Sequence, residues 1–525
     1  MYGRLILAGP ILVAILALFL SPWETRSKSV TPPVTGRNNT VLFLVNCEYG
    51  LSNVHMAAAN ALLERHPEVH IHFGSFPSMA PRLKHIAEHA SKKTSSTREI
   101  VFHELPGHLL FASFFARLNK TVTDIVHPPG LKGANENIRD MAYYVSPWTA
   151  EDHMTLYERF IEIIDEVDPS LIVLDVFVRP AIDATRKRNR LHSVITPNYL
   201  IDNFAIYQPY LSWLWKYPIG SSGIPYPIPW SRIPENIYLG IRYYYAMLLM
   251  PHHRATLKYL ATKGLTDRVT WFNVYRPDVP WFTQNLLGAS IPMMYTPPNV
   301  TSTGPMMISL STVEEESPEL AKWLARGPTV LVNLGSLYMW TEAQASSMAE
   351  AIAHTLSENP NLQVLWKFRK TPIDASGTVY SDEFKEPLLP FIKNGRMRME
   401  AWLDVEPTAL LESGHIVASV HHGGAGCYNE ALGNGVPQIA LPQWVDHYNF
   451  ASLAEDIGVG VWGCQETSPY WTTECLREAF ATIVDRNETS AAIREKARYF
   501  GEIVQRDPGQ HIVAREIAKL AASRC

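Results

Sequence analysis

Basic charge is what this sequence has too little of to serve a polyanion. Its 46 lysines and arginines are outnumbered by 51 aspartates and glutamates, a formal net charge of -5 at pH 7. No positive field gathers nucleic acid, so a phosphate-bearing ligand must be held by local geometry. Cysteine is scarce as well. Cys47, Cys427, Cys464, Cys475 and Cys525 are odd in number and widely spaced, with neither a zinc-ligand spacing nor a disulfide framework. The fold is therefore expected to stand on its core, without a structural metal. Charged residues make up only 18% against 46% hydrophobic, which excludes a disordered chain. At 525 residues the chain exceeds one ordinary core and suits about two to three domains.

Long apolar runs are confined to the N-terminus. Leu5 to Leu20, LILAGPILVAILALFL, carries no charge and is followed by Ser21, Pro22 and Trp23. As a helix it would rise about 24 Å against a hydrocarbon core of roughly 30 Å. A cleaved signal peptide and a retained single-pass anchor both fit that length. The missing A-x-A-like cleavage site and the interfacial Trp23 favour the anchor. Flanking charge leaves orientation open, since Arg4 faces Arg26, Lys28 and Arg37 across the segment. Sequons at Asn38, Asn119, Asn299 and Asn487 favour a body in the lumen of the endoplasmic reticulum.

Beyond a polar connector at 24–39, apolar strands alternate with helical patterns. TVLFLVN (40–46) reads as a buried strand, VHMAAANALLERH (54–66) as a helix and VHIHFGSF (69–76) as the next strand, together a β-α-β unit. SLIVLDVF (170–177) is a later strand carrying Asp175 at its end. A second set starts at TVLVNLGSL (329–337) and continues through the helix at 342–359 and LQVLWKF (362–368). Two such modules predict an α/β protein of two doubly wound, Rossmann-like domains facing one cleft. The expected division is a segment 1–23, a connector 24–39, a first domain 40–290, a linker 291–325, a second domain 326–500 and a closing helix in 501–525. The linker includes the proline-rich, period-free SIPMMYTPPNVTSTG (290–304), since proline disfavours helix. Within the first domain, 210–253 is dense in aromatics and prolines, with an amphipathic helix from Glu235 to Met250. It reads either as ordinary packing or as an apolar acceptor pocket or membrane-surface element.

The densest chemistry lies in HHGGAGCYNEALGNGVPQIALPQWVDHYN, residues 421–449. A short strand, a turn built on His422, Gly424 and Gly426, and a helix ending at Gly435 would aim free N–H groups and the positive end of the helix dipole at an anion. Diphosphate is the natural occupant. Glu430, eight residues after His422, can reach a hydroxyl-bearing part of the same ligand. Asp446 follows the strand QIALP, at the carboxyl edge of a parallel sheet where such folds bind ligands.

This run resembles the nucleotide-binding signature of the UDP-glycosyltransferases of family 1, enzymes of the GT-B fold. His-x-Gly, the step to Glu430, Gly-Val-Pro and the step to Asp446 fall in register, strongly over 329–465, and the likeness is nearest to fungal, membrane-anchored members. The resemblance implies that Trp402 stacks on uracil, Ser336 and His422 contact the phosphates beside Gly424 and Gly426, Glu430 holds the ribose, and Asp446 with His447 holds the sugar. It implies a C-terminal helix that packs back on the first domain, a UDP-sugar as co-substrate with no metal or other cofactor, and inverting transfer to a hydroxyl of a hydrophobic acceptor such as a lipid, sterol or secondary metabolite. Glucose is the favoured sugar; His447, where the family commonly has glutamine, keeps galactose open. Two departures matter. Trp402-Leu403-Asp404-Val405 stands in place of Trp-x-Pro-Gln, and Leu51 occupies the place of the catalytic histidine. Either Asp175, matching the family's acidic partner, is then the favoured base, or His55, one helical turn from Leu51, serves directly, or the acceptor hydroxyl needs little activation. A UDP-sugar-binding protein without turnover and a non-hydrolysing UDP-sugar epimerase are the competing readings.

Overall fold

The computed structural model describes residues 31–94, 99–267, 274–371 and 381–522. The apolar run Leu5–Leu20 lies outside the described residues, and among those described no helix is long and apolar enough to cross a membrane.

Two parallel sheets organise the chain. The first comprises β1 (Arg37–Leu44), β2 (His70–Ser75), β3 (Ile100–Glu104), β4 (Pro169–Asp175), β5 (His192–Thr196), β6 (Trp281–Thr283) and β7 (Val300–Ser302), in the order 3-2-1-4-5-6-7. The second comprises β8 (Thr329–Val332), β9 (Gln363–Lys367), β10 (Met397–Glu400), β11 (Ile416–His421), β12 (Gln438–Ala440) and β13 (Gly460–Trp462), in the order 10-9-8-11-12-13. Helices cover both faces, which is why Val41 to Val45 and Leu171 to Leu174 are continuous apolar runs and not alternating ones. In each sheet the order reverses beside its first strand, between β1 and β4 and between β8 and β11. At such a point neighbouring crossovers leave on opposite faces, and a crevice opens beyond the carboxyl ends.

The expected linker needs correcting. Val300–Ser302 pairs in parallel with β6, so part of the segment 291–325 is the last strand of the first sheet. Three residues set among prolines give no detectable period. One disulfide was not foreseen by the spacing of the cysteines: Cys464, just after β13, is bonded to Cys475 in the helix Thr473–Val484. This is one local staple and not a framework, hence invisible to spacing rules.

The C-terminal helices tie the halves together. Glu488–Arg506 packs on Ala425–Gly433. Gly509–Ala522 crosses back to the first domain, where Val513, Ala514, Ile517 and Ala521 enter the core formed with β1 and the helix Tyr49–Arg65. The crossing is tight: a Cβ on Gly509 would stand 2.5 Å from the Pro305 carbonyl oxygen and 2.6 Å from that of Gly304. In the insert, the helix Ile233–Leu249 buries Asn236, Leu239, Gly240, Ala246 and Met247 and leaves Tyr238, Ile241, Tyr245 and Leu249 exposed.

Candidate active site

The carboxyl ends of the two sheets face each other across a cavity of about 860 Å³, toward the upper end of the size range for ligand sites. Every residue assigned above to nucleotide or sugar lines it: Ser336, Trp402, His422, Gly424, Gly426, Glu430, Asp446 and His447.

Glycine shapes the second domain's wall. The His422 ring sits in a slot where a Cβ on Gly335 would come within 2.6 Å of its Cε1 and a Cβ on Gly424 within 2.4 Å of its Nε2. Gly335 also holds φ +86°, a conformation that only glycine adopts cheaply. Gly426 is different, with nothing within 4 Å of where its Cβ would stand. It is open toward the cavity. Gly424 caps the helix Ala425–Gly433 without a side-chain hydrogen bond, and no acid occupies its first turn, so the leading N–H groups are available to an anion. Burial, reinforced by His421 and Lys367, holds the His422 imidazole down to about 3. The ring is neutral at pH 7, with one N–H to donate.

Two cations here were missed in the sequence. Lys367, the last residue of β9, places Nζ 3.7 Å from the Trp402 ring centre and donates to the Gly335 carbonyl at 3.1 Å. Arg369 donates to the Ser336 carbonyl at 2.6 Å. Burial, with the charge of Arg369 as a smaller cause, lowers the Lys367 ammonium to about 8. The only available signal was their place at a strand's carboxyl end beside Ser336. Trp402 remains 40% exposed, with one face toward Lys367 and its edge near Tyr49, ring centres 5.8 Å apart.

Buried carboxylates line the cavity as well. Burial, then the charge of Glu406, pushes Glu430 up to about 8. Asp446 precedes the helix His447–Asp456, and burial raises its carboxyl; Asp202 of the first domain, which also lines the cavity, is raised by burial and by the charge of Asp446. Asp202 was not foreseen, since no motif surrounds it in the sequence. His447 packs edge-on against His422, ring centres 4.5 Å apart, and its buried Nδ1 makes no hydrogen bond.

The first domain contributes the apolar wall, including Phe111, Phe114, Met141, Tyr144, Trp213 and Tyr244. It also clasps the second domain. The Val445 N–H donates to His127 Nε2 at 3.2 Å, the Ser221 N–H to the Val445 carbonyl at 2.8 Å, and the Tyr199 hydroxyl to Asn429 Oδ1 at 2.8 Å. The loop carrying Asp446 is thereby set against the first domain.

The expected base requires correction. His55 is fully buried, with Nδ1 3.2 Å from the Leu51 carbonyl and Nε2 3.5 Å from that of Leu174, and burial lowers it to about 4. It joins a helix to a strand and does not line the cavity. Asp175 also lies beneath the surface. Its Oδ2 accepts from the Asn46 side chain at 2.5 Å and the Asn46 N–H at 3.3 Å, and its Oδ1 from the Phe177 N–H at 2.9 Å. Both were placed at the right sheet end, but alternation within a buried strand and helix turned them inward. Leu51 does line the cavity, where it offers only hydrocarbon.

Residues 382–519 match the family described as erythromycin biosynthesis protein CIII-like, C-terminal domain. The glycosyltransferase sdnJ of Sordaria araneosa is 34% identical over 466 residues, spanning 86% of this chain and 89% of that protein. The vancomycin aglycone glucosyltransferase of Amycolatopsis orientalis is 27% identical over 268 residues, 51% of this chain and 55% of that one. Among solved structures, a UDP-glucosyltransferase from Polygonum tinctorium capable of glucosylating indoxyl superimposes with a TM-score of 0.58 at 16% identity, covering 94% of this chain and all of that one. That last likeness is one of fold.

Proposed function

The chain belongs to the UDP-glycosyltransferases of family 1, and from that footing we propose that it moves a hexose, glucose in preference to galactose, from UDP to a hydroxyl of an apolar secondary metabolite or lipid, with inversion at the anomeric carbon. One observation carries the reading: an uncapped helix start and the Lys367 ammonium face an aromatic wall across one cavity. In this reading uracil stacks on the open face of Trp402, and the ribose hydroxyls bond to Glu430. The diphosphate lies against the N–H groups after Gly424, with His422, Ser336 and Lys367 around it. Charge developing on the leaving diphosphate is met by oriented donors, without recourse to a metal. Asp446 and His447 hold the sugar, and the acceptor lies along Phe111, Tyr144 and Trp213.

The acceptor class draws support from the wall and from the similarity to the glucosyltransferase of vancomycin aglycone. We also propose a membrane-anchored body on the luminal side, beside fungal members with such an anchor. Asn38, Asn119 and Asn487 are exposed, and a disulfide fits an oxidising compartment. Asn299 would not be glycosylated, because its side chain bonds to Tyr275, Arg276 and Val279.

A second reading, UDP-sugar binding without turnover, is favoured by Leu51 and by the enclosure of His55. Incubating the protein with UDP-glucose and UDP-galactose against a panel of sterols, other lipid alcohols and phenols separates the two. Glycoside formation supports transfer; tight UDP-sugar binding with no product supports the second reading.

A further inference from the structure

With leucine in the histidine's place and His55 and Asp175 closed off, the acceptor's proton needs another destination. The first-domain side of the cavity presents three carboxylates among the described residues: Glu48, Asp140 and Asp202. Asp140 is ion-paired with Lys120. Asp202 accepts the Tyr199 N–H at 2.9 Å and faces the charge of Asp446. Glu48 is unlike either. It follows β1 at the switch point, three residues before Leu51, and lines the cavity beside Tyr49 and Phe111. Its Oε1 accepts the Phe111 N–H at 2.9 Å, while Oε2 faces the Cys47 thiol at 3.9 Å.

We propose that Glu48 is the general base of the transfer. The inference rests on the glycosyltransferase reading. The acceptor hydroxyl oxygen bonds to the anomeric carbon as the bond from that carbon to the β-phosphate oxygen breaks. The bonding pair leaves on the diphosphate, and the acceptor's proton passes to Glu48 Oε2, which later releases it to water. The loop is braced for this. Asp175 holds the Asn46 side chain, and Asn46 Oδ1 accepts the Glu48 N–H at 2.9 Å. The carboxylate that would orient the family's histidine thus becomes a positioning residue for a glutamate. Burial raises the Glu48 carboxyl above the ordinary range, toward the working pH of a base. The groups facing it are the Cys47 thiol on its own loop, Asp175 on β4, the Tyr144 phenol on the helix Leu131–Tyr144, and Arg82 on the helix Ala80–Thr94, whose charge acts on Cys47. The Phe111 N–H and the Cys47 thiol, which bond to the carboxylate, oppose the rise.

The test compares wild type with Glu48→Gln and Glu48→Asp, reading initial rates across pH, UDP affinity by calorimetry and melting temperature. The amide oxygen of glutamine can still accept the Phe111 N–H, so fold and UDP affinity are expected to hold. The turnover of an aliphatic alcohol should fall roughly 100-fold or more, the acid limb of the pH–rate profile should vanish, and an acidic phenol should lose less. If Glu48→Gln melts early, Glu48→Asp decides: the limb is expected to persist, with turnover lowered about tenfold by the shorter reach. Unchanged alcohol turnover in a folded Glu48→Gln, or in Glu48→Asp where glutamine destabilises, overturns the inference and leaves the transfer reading standing. A wild type that binds UDP-sugar but makes no glycoside overturns both.

Discussion

The His422 slot allows a prediction from one methyl group. At Gly424, φ is unexceptional at -68°, so Gly424→Ala introduces no backbone strain, only a Cβ 2.4 Å from His422 Nε2 and 2.9 Å from Cε1. To regain ordinary contact the ring must retreat by about 1 Å. Gly335 packs closely against the same ring, so that a Cβ there would stand 2.6 Å from it, and little room is left for that retreat. The imidazole must therefore swing out of line, and the protein forfeits a hydrogen bond to a charged phosphate, worth roughly 1.5–3 kcal/mol. At about 1.4 kcal/mol per decade, UDP should bind roughly 10- to 100-fold more weakly. Overpacking adds about 1–3 kcal/mol of destabilisation. Gly426→Ala is the control: its methyl meets nothing within 4 Å, and alanine in a helix gains up to about 1 kcal/mol over glycine. That variant should melt no earlier than wild type, yet bind UDP more weakly, because its methyl enters the space of the diphosphate. Calorimetric titration with UDP beside thermal melts reads both effects. Gly424→Ala binding UDP as wild type does would refute the contact between His422 and phosphate.

Three further outcomes are expected. His447→Gln should change the ratio of specificity constants for UDP-glucose and UDP-galactose by about tenfold or more, whereas Asp446→Ala should cripple transfer from both; an unchanged ratio in paired-donor competition would mean that the His447 side chain is turned from the sugar. Stability of the ligand-free protein should fall as pH rises from about 6 through 8. Glu430 at about 8 and Asp175 at about 7 are raised above their unfolded values, so they hold protons in the native state that the unfolded chain has already released. Melting scans of Glu430→Gln should show a shallower fall, and a slope equal to wild type would count against the raised carboxyl. Asp175→Asn should lower turnover and change its acid limb through the Glu48 loop, with UDP affinity kept; equal loss of both would mark a purely structural role.

Much of the second domain was legible in the sequence because its site is local. From His422 to Glu430 the backbone runs through one turn and one helix, so spacing alone places donors and carboxylate on the same end of a sheet, and Gly435, at φ +67°, ends the helix as its position requires. Parallel strands buried on both faces announced themselves as unbroken apolar runs. Tertiary packing decided the rest. The orientation of Asp175 and His55 followed from which neighbours closed over them, and an apolar run carries no trace of that. Lys367, Arg369, Asp202 and Glu48 acquire their roles only because strands distant in sequence end at one cavity. The three-residue strand Val300–Ser302 exists because β6 lies beside it, since so short a segment has no intrinsic preference strong enough to form alone. Periodicity and turn chemistry are properties of neighbours along the chain, and they fixed the sheets and the nucleotide turn. Proton transfer depends on which side chains meet across the cleft, and only the packed structure determined that.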